Sequence, residues 1–291
     1  MSHPTTPPRA VTHVVAGHPV SHSRSPWIHA RFAEITGQGL RYDRLDVTPG
    51  QLGQALQRFQ TEGGQGCNVT VPCKFEAYEL AVRRSERAEL AQAVNTLRFD
   101  QEGWWGDNTD GVGLVRDLTV NAGWPLAGRH LLVLGAGGAA AGILAPLLQA
   151  RPSRIDVVNR TAAKALELAA RHAPLAERSG VVLKAHGLDE SAHLPPPDVI
   201  INATAASLSG DARPLPACLL RPGQHVVDLM YGPGAEGFLS WAAGHGAITR
   251  DGLGMLVEQA AEAFHAWTGT MPPGAQVLDE LRAHLAGQAP H

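Results

Sequence analysis

Apolar and polar residues alternate along the first part of the chain in a way that predicts strands and helices in turn. The run THVVAG (12–17) has strand character, and SPWIHARFAEITG (25–37) carries apolar residues at helical spacing. A strand over LRYDRLDV and a helix over PGQLGQALQRFQTEGG follow. Further on, AVNTLRFDQEGWWGDN predicts a hairpin around Asp100–Gly103. The charged run RRSERAE (83–89) is expected to form a solvated helix face.

A second alternation begins near Gly128. Strands over HLLVLG, RIDVVN, DVIINA, HVVDLM and AITR, with helices over 138–150 and 161–172, predict a parallel, doubly wound sheet. Two further helices, near 252–268 and 275–287, are predicted toward the end of the chain. The expected fold class is therefore α/β.

The segment VLGAGGAAAG joins the first strand of this second part to its helix and matches the G-x-G-x-x-A fingerprint. Gly135 would make the turn, Gly137 would let the backbone approach a pyrophosphate, and Ala140 would permit close helix–strand packing. The start of the helix would offer N–H groups to the phosphates. The segment predicts a dinucleotide cofactor.

The end of the next strand indicates which dinucleotide is bound. An NAD site usually places an acidic residue there for the ribose 2′-hydroxyl, whereas this chain has Asn159, Arg160 and Thr161. Arg160 can form a fork to a 2′-phosphate and stack on the adenine, which favours NADP. The simpler interpretation is a surface arginine.

The stretch GCNVTVPCK (66–74) predicts a strand over Asn68–Val71 that Pro72 ends, with a helix starting near Lys74. The positive end of the helix dipole favours a cation there less than usual. Lys74 is therefore either a surface charge or a base that moves a proton. The local sequence leaves both interpretations open.

Two polar segments stand where helices are predicted to begin. In SHSRSP, Ser25 is expected to be the N-cap, and a capped helix start with Ser23 beside it also suits a carboxylate. In GDNTDG, Asp107 and Asp110 precede a helix, and each is either an N-cap or a catalytic carboxylate. A carboxylate near Lys74 would form a proton-transfer pair with it.

Composition narrows the classes of function. The 291 residues suit about two domains, and 44% apolar with 18% charged residues fit a globular protein with a core. A net charge of -3 and a pI near 6.5 do not support a nucleic-acid or anionic-membrane partner. Three cysteines without a CxxC pair, and histidines outside any ligand frame, predict neither disulfides nor a metal site. The polar N-terminus, MSHPTTPPRA, predicts a cytoplasmic protein.

The uncharged segment 131–148 is long enough to suggest a membrane span. Its clustered glycines fit a strand, a glycine turn and a buried helix better. No membrane association is therefore predicted.

Taken in order, SHSRSP, NVTVPCK, AVNT, GDNTDG, GAGGAA, NRT, NAT and DGLGMLVEQA resemble the motifs of the shikimate dehydrogenase family, over about positions 13 to 285. The resemblance implies reversible NADPH-dependent reduction of 3-dehydroshikimate to shikimate, in chorismate and aromatic amino acid biosynthesis. It implies a substrate-binding catalytic domain formed by 1–110 and 252–291, in which the C-terminal helices pack back on the rest. A Rossmann-like NADP domain would span 111–251. A monomer and a homodimer both fit.

The resemblance also implies roles for individual residues. Lys74 would be the acid–base lysine, and Asp110 would be its partner on the substrate. The other substrate contacts would be polar side chains: Ser23 and Ser25 on the carboxylate, Thr70, Asn95 and Gln259 on the ring hydroxyls, and Tyr231 beside the ring. The NADP contacts would come from Glu86, Gly135, Ala136, Gly137, Gly138, Ala139, Asn159, Arg160, Thr161, Lys164, Thr204, Leu229 and Gly252.

The chain departs from the family pattern at a few positions. Arg24 replaces a common lysine, Cys73 a common aromatic residue, and Ala205 and Ala206 the usual serines. Three alternatives follow. A quinate/shikimate dehydrogenase using NAD is disfavoured because NRT lacks an acidic residue. A methylene-tetrahydrofolate dehydrogenase would not account for SHSRSP and NTD, and an NADP sensor would bind without turnover.

Overall fold

The computed structural model describes residues 12–204 and 215–287, and these form two compact units. Within the described residues, unit 1 contains the chain up to 85, together with 94–107 and the part from 260 onward; unit 2 contains 86–93 and 108–259. The domain division after 110 and before 252 stays a prediction. Ala205 and Ala206 lie outside the described residues.

Unit 1 is built on a mixed six-stranded sheet. Its strands are β1 (His13–Gly17), β2 (Tyr42–Asp46), β3 (Gly66–Val69), β4 (Arg83–Arg84), β5 (Thr96–Asp100) and β6 (Gly103–Asp107). The order across the sheet is β2-β1-β3-β5-β6-β4. β1 pairs in parallel with β2 and β3, whereas β5 runs antiparallel to β3 and forms the predicted hairpin with β6.

The helices of unit 1 cover this sheet with apolar faces. They are α1 (Ser25–Thr36), α2 (Leu52–Thr61), α3 (Lys74–Leu80), α10 (Gly274–Ala286) and the later turns of α9 (Leu253–Thr268). Ile28 and Phe32 of α1 are fully buried, as the helical spacing predicted. α1 ends at Gly37, whose φ of 69° is a left-handed conformation that glycine adopts without steric cost.

Unit 2 contains a six-stranded sheet that is parallel throughout. Its strands are β7 (His130–Leu134), β8 (Arg154–Asn159), β9 (Val182–Gly187), β10 (Val199–Asn202), β11 (His225–Asp228) and β12 (Ile248–Arg250). The order is β12-β11-β10-β7-β8-β9, so the direction of winding reverses between β7 and β10. Ligands bind open α/β sheets outside the carboxyl ends of the strands at such a reversal.

The helices of unit 2 are α4 (Glu86–Ala91), α5 (Asp110–Arg116), α6 (Gly138–Gln149), α7 (Ala162–Ser179), α8 (Pro233–Gly244) and the first turns of α9. α5 continues into a π-helical turn over Asp117–Asn121. The doubly wound, parallel α/β architecture predicted for this part of the chain is confirmed.

Several local predictions are wrong. The strand predicted over Asn68–Val71 ends at Val69, because the N–H of Cys73 closes a turn on the carbonyl of Thr70 at 2.9 Å. The charged run 83–89 is not one helix face, because its first two arginines form β4 and pair with Trp105 and Gly106 of β6.

Ser25 is also not the N-cap of its helix. It is the first residue of α1, and the flanking residue is Arg24. The hydroxyl of Ser23 accepts a hydrogen bond from the Ser25 N–H at 3.3 Å, so Ser23 satisfies a donor of the helix start.

Among the described residues, no helix is long and apolar enough to span a membrane. The segment 131–148 forms most of β7, the glycine turn and most of α6. The apolar run is therefore accounted for by a buried strand and a buried helix.

Candidate active site

Five residues predicted to bind or transform the substrate lie at one edge of the unit 1 sheet. Ser23 and Ser25 follow the carboxyl end of β1, and Thr70 and Lys74 follow the carboxyl end of β3. Asn95 directly precedes β5, and because β5 is antiparallel to β3 its start lies at the same edge. The topology thus brings distant segments of the sequence to one functional edge.

Lys74 is the first residue of α3 and is half-buried. Its carbonyl oxygen accepts a hydrogen bond from the N–H of Val94 at 3.0 Å, which ties the lysine backbone to the segment carrying Asn95. The Thr70 N–H donates to the carbonyl of Ala16 at 2.9 Å. Backbone bonds thereby fix the positions from which these side chains extend.

The departure at Cys73 lies in the core of unit 1. Its side chain is buried, and the thiol donates to the carbonyl oxygen of Val47 at 3.6 Å. Burial, and secondarily the Glu76 carboxylate, raise the pKa of the Cys73 thiol. The thiol therefore behaves as an inert packing group beside Lys74.

Asp110 is the buried first residue of α5 in unit 2. Its N–H donates to Oδ1 of Asn108 at 3.2 Å, and Nδ2 of Asn108 donates to the carbonyl of Ala93 at 3.0 Å. Gly142 of α6 leaves room for both side chains, since a Cβ there would lie 3.0 Å from Oδ1 of Asn108 and 3.3 Å from Oδ2 of Asp110. The backbone of Asp110 is thus fixed, and the missing Cβ at Gly142 leaves space for its carboxylate.

Gln259 lies in the same unit, near the start of α9. Its Oε1 accepts a long hydrogen bond from Thr109 at 3.5 Å, and its Nε2 donates to the carbonyl of Leu256 at 2.7 Å. Gly113 of α5 allows this approach, because a Cβ there would lie 2.5 Å from the Gln259 nitrogen. Thr109 and Gln259 therefore join α5 to α9. Asp107, by contrast, ends β6 in unit 1 and accepts a short hydrogen bond from Ser85.

The glycine loop after β7 has the geometry that a dinucleotide requires. Gly135 has a φ of 113°, and a Cβ there would lie 3.0 Å from the carbonyl oxygen of Ala203. Gly137 precedes α6, and the space around its Cβ position is open to 4 Å. Ala140 is fully buried between helix and sheet. The loop, which also contains Ala136, Gly138 and Ala139, fits a pyrophosphate at the helix N-terminus.

The residues after β8 form the rim of this loop. Arg160, Thr161 and Lys164 are exposed, and Asn159 folds its amide onto the carbonyl of Thr161 at 2.9 Å. Two cations at the carboxyl end of β8 suit the extra phosphate of NADP, whereas an acidic residue would repel it.

The ends of β10, β11 and β12 carry the residues predicted beside the nicotinamide. Asn202 accepts a hydrogen bond from the Thr204 hydroxyl at 2.8 Å and donates to Asp228 at 2.8 Å. Its carbonyl accepts from the Leu229 N–H at 3.0 Å. Only glycine fits at position 252, because a Cβ there would collide with the carbonyl group of Leu229. Tyr231, half-buried, follows two residues after Leu229.

Glu86 begins α4 and is exposed. Its carboxylate pairs with Arg178 of α7 at 3.0 Å. This contact gives Glu86 a structural partner within unit 2, and its cofactor role stays a prediction.

Sequence reasoning missed the buried polar residues behind both sites. In unit 2 these are Asn108, Thr109 and the pair Asn202–Asp228. In unit 1 they are His29, Asn68 and Thr96, together with the half-buried Tyr42. The available signal was a polar residue on an otherwise apolar strand, such as the asparagine in GCNV.

Three family models match the chain. The model of the shikimate dehydrogenase substrate binding domain matches residues 15–97. The shikimate / quinate 5-dehydrogenase model matches 119–209, and the shikimate 5'-dehydrogenase C-terminal domain model matches 252–282.

Relatives and solved structures agree with these matches. The shikimate dehydrogenase (NADP(+)) of Acidovorax sp. (strain JS42) is 59% identical over 275 residues, covering 94% of this chain and 97% of its own. The crystal structure of an Ael1 enzyme from Pseudomonas putida has a TM-score of 0.85 at 42% identity, covering 94% of this chain and 98% of its own. Shikimate 5-dehydrogenase from Thermus thermophilus, solved with NADP(H) and shikimate, has a TM-score of 0.81 at 32% identity, covering 94% of this chain and 99% of its own.

Proposed function

This chain belongs to the shikimate dehydrogenase family, and we propose that it catalyses the reversible reduction of 3-dehydroshikimate to shikimate with NADPH. It is an NADP-dependent oxidoreductase acting on a CH–OH group. The observation that carries the proposal is the edge of unit 1 at which Ser25, Thr70, Lys74 and Asn95 converge. Fold alone would not specify the reaction, whereas this set of side chains suits a polyhydroxylated carboxylate.

Reduction adds a hydride to the ketone carbon of the ring and a proton to its oxygen, and oxidation reverses both transfers. The nicotinamide, when bound, supplies or accepts the hydride. Lys74 donates a proton from Nζ to the ring oxygen as negative charge develops there, and takes it back in oxidation. Asp110 is its partner on the same oxygen, orienting the substrate hydroxyl and the amine.

The remaining polar side chains orient the ring. Ser23 and Ser25 bind the substrate carboxylate through their hydroxyls. Thr70, Asn95 and Gln259 bind the ring hydroxyls, and Tyr231 lies beside the ring. A site built to hydrogen-bond several hydroxyls rejects analogues lacking them, because its own polar groups would be left unpaired.

The cofactor is held by unit 2. Residues Gly135–Ala139 cradle the pyrophosphate, an assignment supported by the turn at Gly135 and the open space at Gly137. Asn159, Arg160, Thr161 and Lys164 surround the 2′-phosphate. Thr204, Leu229 and Gly252 line the nicotinamide side, and Glu86 contributes on the cofactor side. Each of these roles is a proposal for mutational test.

The deciding experiment follows NADPH absorbance with 3-dehydroshikimate for the wild type and for Lys74→Ala. Loss of the acid–base group is expected to lower kcat by roughly 10²–10⁴-fold while shikimate binding persists. Lys184→Ala, which removes an exposed lysine of β9, is the matched control and should retain wild-type turnover.

The outcomes separate the alternatives. Unchanged turnover in Lys74→Ala would make Lys74 a surface charge. NADP binding without any turnover by the wild type would favour the sensor, and preference for NADH would favour a quinate/shikimate dehydrogenase using NAD.

We also propose a cytoplasmic location, supported by the free cysteines 67, 73 and 218. A monomer or homodimer is proposed, which sedimentation would distinguish.

A further inference from the structure

A buried hydrogen-bond chain in unit 1 lies directly behind the functional edge. Oδ1 of Asn68 accepts from the Tyr42 hydroxyl at 2.7 Å and from Nε2 of His29 at 3.2 Å. Its Nδ2 donates to the carbonyl oxygen of Asn95 at 3.2 Å and to Oγ1 of Thr96 at 3.1 Å. Two acceptor and two donor positions are all that an amide side chain has. The Asn68 side chain therefore cannot rotate without losing bonds.

Thr96 connects the fixed side chain of Asn68 to the side chain of Asn95. Its side chain is fully buried, and its hydroxyl donates to Oδ1 of Asn95 at 2.9 Å. A hydroxyl has a single proton, and because Nδ2 of Asn68 donates to its lone pair, that proton is directed to Asn95. The bond identifies Oδ1 as the acceptor end of the Asn95 amide and so fixes the direction of Nδ2.

The other end of this hydrogen-bond chain, formed by His29 and Tyr42, is also fixed. The ring of His29 stacks on Tyr42 with 4.2 Å between centroids and 11° between planes. Burial, and secondarily His13, lower the pKa of His29 to about 3, so the ring is neutral. Nδ1 of His29 has no hydrogen-bond partner among the described residues, so the ring proton belongs on Nε2, facing Asn68.

We propose that Asn68 and Thr96 are positioning residues that hold the Asn95 amide in the single orientation that binds the ring hydroxyl of shikimate. The inference rests on the proposed function, because it takes shikimate as the ligand of Asn95. Thr96 is inaccessible to substrate and acts through Asn95 alone. A binding side chain keeps the geometry that its ligand needs only when supporting hydrogen bonds lock its rotamer.

Two substitutions at Thr96 test the proposal against a purely structural role. Thr96→Val keeps the side-chain shape but removes the hydroxyl, which leaves Oδ1 of Asn95 without this donor. Thr96→Ser keeps the hydroxyl but removes a buried methyl group. We expect Thr96→Val to raise the KM for shikimate about tenfold, which corresponds to loss of one buried hydrogen bond. Thr96→Ser should change that KM by less than about threefold, although it lowers Tm.

The KM for NADP should be unchanged in both variants, because the proposed cofactor residues belong to unit 2. Shikimate binding measured by calorimetry gives a second readout that does not depend on turnover. Tyr42→Phe removes only the hydroxyl that donates to Asn68 and should weaken shikimate binding severalfold. Tyr78→Phe is the same chemical change on α3 and serves as the matched control.

The outcomes are distinguishable. If the wild type turns over shikimate and the KM of both Thr96 variants follows Tm rather than the presence of the hydroxyl, the positioning role is overturned. If Tyr42→Phe and Tyr78→Phe weaken shikimate binding equally, the hydrogen bond from Tyr42 to Asn68 has no positioning role, and that part of the proposal is overturned. If the wild type neither binds nor turns over shikimate, the proposed function itself fails, and the inference fails with it.

Discussion

The functional edge of unit 1 is built from side chains held by other side chains, whereas the cofactor end of unit 2 is built mainly from backbone. In unit 1, Asn68 and Thr96 hold Asn95 by buried hydrogen bonds. In unit 2, the critical features are the φ of 113° at Gly135 and the open space at Gly137. A side-chain site is expected to fail when a hydroxyl is lost, and a backbone site when a Cβ is added.

The contrast between a side-chain site and a backbone site also explains why the reaction can tolerate residues that depart from the family pattern. At Cys73 the altered side chain is buried in the core of unit 1, and its thiol donates to the carbonyl oxygen of Val47. In unit 2, the backbone N–H groups after Gly137 are present whatever the neighbouring side chains are. Departures in either place are compatible with retention of the reaction.

Asp110 is the exception in unit 2, and its substitution should have the largest effect. It is buried, its backbone N–H donates to Asn108, and the missing Cβ at Gly142 leaves space for its carboxylate. Asp110→Asn keeps the shape but cannot take part in proton transfer. We expect kcat to fall on the order of 10³-fold with unchanged NADP affinity, as measured by steady-state kinetics and cofactor titration.

Asp279→Asn, a change of an exposed carboxylate on α10, is the control for Asp110→Asn and should leave kcat unchanged. A double variant with Lys74→Ala should lose little more than either single variant, because residues that act in one step are not additive. Full additivity would show that Lys74 and Asp110 act in separate steps.

Much of the fold followed from the sequence because hydrophobic periodicity and glycine punctuation agreed there. The exceptions have physical causes. β9 was not predicted because it is an edge strand with a largely exposed first residue, Val182. α8 has the glycine-rich sequence PGAEGFLSWAAG and forms because Phe238 and Ala242 are buried. α7 was predicted to end near 172 but continues through Pro174 to Ser179.

The candidate site was predictable as residue types but not as geometry. Motif order assigned Lys74, Asn95 and Asp110 their proposed roles, yet nothing local showed what holds Asn95 in place. Thr96 adjoins Asn95 in sequence, but Asn68, which bonds to both residues, lies on β3 and looked like part of an ordinary buried strand. Long-range pairing decides such contacts, and periodicity carries no information about it.

The next prediction concerns the acid sensitivity that His29 gives to the buried network of unit 1. His29 is neutral in the folded state because burial lowers its pKa to about 3, whereas the unfolded chain takes up that proton near 6.5. The unfolded state therefore binds more protons between these values, and stability falls as pH drops below about 6.5. The cost at pH 5 is about 2 kcal/mol.

His29→Gln keeps a donor for Asn68 without a titrating ring. Its free energy of unfolding should change about 2 kcal/mol less than that of the wild type between pH 7 and pH 5, measured by denaturant titration. His172→Gln is the matched change in unit 2, where burial lowers the pKa of His172 to about 4. It should reduce the pH dependence of the free energy of unfolding by a similar amount. A wild-type pH dependence in His29→Gln would mean that His29 takes up its proton while the protein is folded.

The smallest expected effect concerns the rim of the backbone site, where one exposed side chain is proposed to select the cofactor. Arg160→Gln should raise the KM for NADP about tenfold, because a charge-assisted bond to the 2′-phosphate is lost at a solvated position. The KM for NAD should be unchanged, since NAD lacks that phosphate. Arg129→Gln, an exposed change before β7, is the control. If NADP affinity survives Arg160→Gln, the backbone cradle and Lys164 suffice, and the contrast between the two units extends to cofactor choice.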